Sequence, residues 1–134
     1  MSKPYESVKS QIKNEVSETI ELADKKEDIR LILPHLRQIS MLVQIPAEIS
    51  DDADMRFVSF VFNSIYSMLR NWYTSDKEEW YKLNQRNIEG VLSPLKVFVQ
   101  SFTNAFIAGD FKKAIDTSKT FFYVAWKHTR MLTS

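Results

Sequence analysis

Apolar residues recur along this chain at intervals of three and four, the spacing of one face of an α-helix. The most pronounced run covers residues 54–76. At 100° per residue, Met55, Val58, Val61, Phe62, Ile65, Met68, Leu69 and Trp72 share one side. Arg56, Ser59, Asn63, Ser64, Ser67, Arg70 and Asn71 fall on the other, and no acid stands between Asp54 and Asp76. Phe60 lies among those polar residues, where the protein's own core would not place it. A helix of this length is roughly 30 Å long, about the width of a small domain.

The same period marks the flanking segments. Residues 4–23 carry a narrow seam of Tyr5, Val8, Ile12, Val16 and Ile20, with Pro4 suited to a first helical turn. Asp24 and Glu27 have capping-box spacing and predict a second helix, which holds Ile29, Ile32, Leu33, Leu36, Ile39, Leu42 and Val43. Pro34 predicts a kink or break near Leu33, and Pro46 predicts the end of that segment. Asp51, Asp52 and Asp54 then suit the positive end of the long helix.

Ser75 and Glu78 repeat the capping box and predict a fourth helix to about Glu89, marked by Trp80, Leu83 and Ile88 and closed by Gly90. Ser93 and Pro94 predict the start of a fifth, with Leu95, Phe98, Val99, Phe102, Ala105 and Phe106 on its buried side. Gly109 ends it. Asp110 caps a sixth helix running to about Arg130, whose Phe111, Ile115, Phe121, Phe122 and Ala125 are expected in the core. Residues 104–115 resemble the central turn of a tetratricopeptide repeat. With no second copy in the chain, they read as an ordinary helix–Gly–Asp–helix hairpin.

Composition agrees with helices throughout. Two glycines and four prolines are too few for the tight turns of an antiparallel β fold. The expectation is an all-α bundle of five or six antiparallel-type helices, with residues 1–134 as a single domain. The absence of cysteine excludes disulfides, thiolate zinc sites and cysteine catalysis, and suits a cytoplasmic protein. The first twenty residues carry lysines and glutamates throughout, unlike a signal peptide. No uninterrupted apolar run reaches about 18 residues, so no membrane contact is expected.

Charge is divided unevenly. Residues 1–80 hold 10 basic and 14 acidic side chains, a net of −4, and residues 81–134 hold 8 basic and 3 acidic, a net of +5. Such a division can steer an anionic partner to one end of a molecule.

Catalytic and metal chemistry find little to work with. His35 and His128 are the two histidines, neither in a His-x-x-x-His pair nor preceded by glutamate three positions earlier. Two isolated glycines make no phosphate loop, and no serine sits in a nucleophile elbow. The carboxylates gather at helix starts, where capping explains them. No catalytic residue, cofactor or metal is therefore assigned, and the chain reads as a non-enzyme.

Two faces are candidates for binding. On the long helix, Arg56, Phe60, Asn63 and Arg70 combine arginine, amide and aromatic groups, the usual anchors of protein interfaces. On the last helix, Lys112, Lys119, Tyr123, Lys127 and Arg130 align at helical spacing over roughly 27 Å, a stripe able to follow a phosphate backbone. Asp116 lies in that stripe and can neutralise Lys112 or Lys119.

In size and all-helical character the chain is similar to the small helical subunits of CRISPR effector complexes. The likeness is architectural and carries no residue over. The leading expectation is an interaction subunit of a larger assembly, touching nucleic acid through its backbone without reading sequence. The alternatives are a protein–protein adaptor or homo-oligomeric structural protein without nucleic acid, and a helical bundle binding a small ligand near Trp72, Trp80 or Trp126.

Overall fold

The computed structural model describes residues 2–73 and 85–133, with the side chains of 6–71, 73 and 88–127. Those residues form α1 (Ser2–Asp24), α2 (Ile29–Ile49), α3 (Ala53–Tyr73), α4 (Gln85–Ala108) and α5 (Phe111–Thr133). The helices close into a ring. Helix α1 packs on α2, α2 on α3, α3 on α5, α5 on α4, and α4 back on α1. Each apolar stripe points inward, and no strand is present among the described residues.

A chain of aromatic rings crosses the core. Phe62 of α3 stacks on Phe98 of α4 with centroids 5.6 Å apart, and Phe98 stacks on Phe121 of α5 at 4.6 Å. Phe102 closes on Phe62 at 4.9 Å. Such pairs add about 0.5–1.5 kcal/mol each beyond the area they bury. The expected inward residues of α2 and α4 are all buried. By length and apolar content alone Ile88–Ala108 could cross a membrane, and half of it is buried in the bundle.

Several expected boundaries move. Asp24 ends α1 instead of capping α2. Lys26 adopts φ 54°, Glu27 N–H bonds back to the Leu22 carbonyl, and Asp28 becomes the cap by accepting from Arg30 N–H at 2.8 Å. Neither Pro34 nor Pro46 ends a helix, because α2 continues through both to Ile49. Each proline removes one intrahelical hydrogen bond. Core burial of Leu33, Leu36, Pro46 and Ala47 around them offsets that loss.

Likewise Gly90 is not a C-cap, and Ser93–Pro94 starts nothing. Both lie inside α4. Ile88, Val91, Leu92 and Leu95 form one buried stripe across them, outweighing the roughly 1 kcal/mol helical cost of glycine. The predicted Ser75–Glu78 cap falls outside the described residues. Two expected features hold at the chain reversals. Asp52 accepts from the Asp54 and Met55 N–H groups at the start of α3, and Asp110 accepts from Lys113 N–H at the start of α5.

Candidate functional site

Helix α3 occupies the place in the ring between α2 and α5. Val58, Phe62, Ile65, Leu69 and Tyr73 turn inward and are buried. The outward line reads Ala53, Phe57, Phe60, Ser64, Ser67 and Asn71, spaced alternately four and three, and every one is exposed. Phe60 is 64% exposed and Phe57 52%. No helix of the ring covers this line, so the polar face of α3 is a surface. Ser59 is the exception, buried against α2 although expected on that face.

Two depressions flank the crest. On the α5 side lies an apolar groove of about 710 Å³. Phe57, Phe60, Val61 and Met68 of α3 form one wall, and Ile115 and Phe122 of α5 form the other. Lys119 is the only charged side chain among the described residues lining it. Phe122 was expected in the core and is 49% exposed instead. It projects one turn beyond Ser118, toward the groove, while Phe121 takes the inward position.

On the α2 side a smaller recess of about 270 Å³ holds Gln44, Glu48, Arg56, Phe60 and Asn63. Phe60 therefore stands on the ridge between the two. Asn63 Oδ1 accepts from the buried Ser40 Oγ at 3.1 Å, which ties α3 to α2.

The structure thus brings Arg56, Phe60 and Asn63 together and sets Arg70 apart. Arg70 lines a third recess with Arg30 and Arg37 of α2 and Tyr66 of α3. It lies about 21 Å along the helix from Arg56 at the standard rise.

On α5, Lys112, Lys119, Tyr123 and Lys127 are all exposed as expected. Lys127 Nζ lies 5.6 Å from the centre of the Tyr123 ring, within cation–π range. Asp116 pairs with neither Lys112 nor Lys119 among the described residues. The Arg130 side chain lies outside the described set. Lys119 belongs both to this stripe and to the groove beneath Phe60, so the two candidate faces meet there.

Phe57 escaped the sequence reading. The signal was present in the alternating four-three spacing from Ala53 to Asn71, which is that of a helix-pairing seam. Trp126 is 43% exposed, and the grooves described above are lined without it. Trp80 and the Trp72 side chain lie outside the described residues.

His35 Nδ1 sits 2.7 Å from Glu15 Oε2 and joins α2 to α1. Among the described residues no three His, Asp or Glu side chains gather as a metal site would require. The surface can seat an apolar partner under a cationic edge. Comparison of the chain with protein-family models, curated proteins and solved structures returns no match.

Proposed function

We propose that this protein is a non-enzymatic interaction subunit that docks another component of an assembly on the outer face of α3 and the adjoining groove. The observation that carries this reading is the pair Phe57 and Phe60, both more than half exposed on the rim of an apolar groove. Burying a phenylalanine is worth about 1.5–3 kcal/mol. The ring forgoes that gain twice in neighbouring turns, and a docked partner recovers it. Aromatic anchors beside a groove are also the usual centre of binding energy in interfaces.

A photo-crosslinking residue at position 64, in the protein expressed in its own cells, tests this. The expected result is one defined crosslinked partner, absent when the probe is moved to the exposed position 18 on α1 and absent with Phe60→Asp at an unchanged melting temperature. Equal crosslinking from both positions, or an undiminished product with Phe60→Asp, overturns the reading.

The exposed lysines of α5, which form no ion pair among the described residues, support a second reading, in which the assembly includes nucleic acid held by its phosphates. In that case nuclease treatment before crosslinking removes the product. With a protein partner it does not.

A further inference from the structure

Resting on that reading, we infer that the occupant of the α3–α5 groove is an amphipathic α-helix of a different protein, with carboxylates bordering its apolar stripe. The groove wall on α3 runs from Phe57 to Met68, which at the helical rise is roughly 17 Å, or three turns. A trough between two packed helices is the natural seat for a third, with apolar anchors entering at i, i+4 and i+7. The described surface offers no strand edge for an extended peptide.

Charge selects the kind of helix. The one charged side chain in the wall is Lys119, exposed and without an ion pair among the described residues. Lys112 stands seven residues before it on the same side of α5, outside the groove lining, exposed and without an ion pair among the described residues. The nearby acids are Asp54, one turn before Phe57 on α3, and Asp116 on the outer side of α5; neither lines the groove. Beyond the crest, the other recess is lined by one charge of each sign, Arg56 and Glu48. The groove edge on α5 is therefore cationic, and glutamates or aspartates along one flank of a docked helix would meet it.

The same charges argue against a second copy. Another exposed apolar stripe among the described residues, Leu31, Met41, Ile45 and Ile49 on α2, has Arg37 beside it, with Arg30 there paired to Asp28. Seating it in the groove sets guanidinium against ammonium. Like charges brought together in this way suppress a wrong partner.

Two fluorescent synthetic helices test the inference on the full chain by anisotropy. Both carry leucine along one face, and they differ only in bearing glutamate or lysine at the flanking positions. The glutamate peptide is expected to bind at least tenfold more tightly. Lys119→Glu should weaken it by about tenfold and strengthen the lysine peptide. Phe60→Asp, and independently Ser64→Arg, should weaken both by about thirtyfold or more, the scale of an interface hot spot.

Equal or reversed preference, or no binding by either peptide, overturns the inference. A labelled single-stranded oligonucleotide that binds more tightly than the glutamate peptide, and is lost with Lys119→Glu, overturns it in favour of nucleic acid. Self-association in sedimentation that Phe60→Asp abolishes overturns it in favour of a second copy and leaves the proposed docking face standing. Intact crosslinking with Phe60→Asp in cells removes the docking face itself, whatever the peptides do.

Discussion

Phe60 and Phe62 lie two residues apart on α3 and face opposite ways. Phe60 is 64% exposed on the ridge above the groove, and Phe62 is 1% exposed and stacked on Phe98. At 100° per residue two positions differ by 200°, so one helix presents the same side chain to core and to solvent. Phe62→Ala is expected to lower unfolding free energy by about 3–5 kcal/mol, through lost contacts and a cavity. Phe60→Ala should stay within about 0.5 kcal/mol of wild type. Urea denaturation of the two variants checks this, and a large cost for Phe60→Ala would place that ring in the core.

Asn63 has a structural duty that its exposure conceals. Its carbonyl accepts from the buried Ser40 hydroxyl. Asn63→Ala should cost about 1 kcal/mol, since the Ser40 hydroxyl loses this partner. Adding Ser40→Ala should cost little more. A double-mutant cycle by denaturation measures the coupling, and additive effects would show that the two residues act separately.

The two glycines should respond with opposite signs. Gly109 ends α4 with φ +78°, a conformation that costs other residues about 1–2 kcal/mol, so Gly109→Ala is expected to destabilise by that amount. Gly90 is exposed within α4, where Gly→Ala should stabilise by about 0.5–1 kcal/mol. Melting temperatures of the two variants should move apart. If Gly90→Ala destabilised by as much as Gly109→Ala, a helix end at Gly90 would be the better description.

The cap of α2 is Asp28, not Asp24. Asp28→Ala should cost about 1–2 kcal/mol, through loss of its bond to Arg30 N–H. Asp24 contacts Lys96 in an exposed pair, so Asp24→Ala should cost less than about 1 kcal/mol. Denaturant midpoints with unchanged slopes would give this ranking, and the reverse ranking would contradict the assigned start of α2.

Periodicity made the buried stripes legible: Ile29 to Val43, Val58 to Leu69 and Leu95 to Phe106 all lie where it places them. Helix ends were less legible. Capping-box spacing occurs at Asp24 with Glu27, whereas Asp28 has Leu31 three residues on, and the turn at Lys26 makes Asp28 the cap. Gly90, Pro34, Pro46 and Pro94 have the local preferences of helix ends, yet each lies inside a helix whose flanking residues are buried on both sides. The site was legible in Phe60, which broke its polar surroundings, and illegible in Phe122, whose neighbour Phe121 competes for the inward position.

The sequence by itself determined that this is an all-α protein, which residues of α2 and α4 fill its core, and that one aromatic on α3 is out of place. Those features follow from helical period and side-chain chemistry, which are local. Only the tertiary structure decided that α5 packs beside α3, so that Lys119 and Phe60 line one groove while Arg70 joins Arg30 and Arg37 elsewhere. The order of helices around the ring depends on packing between segments distant in the chain, and no local pattern encodes it.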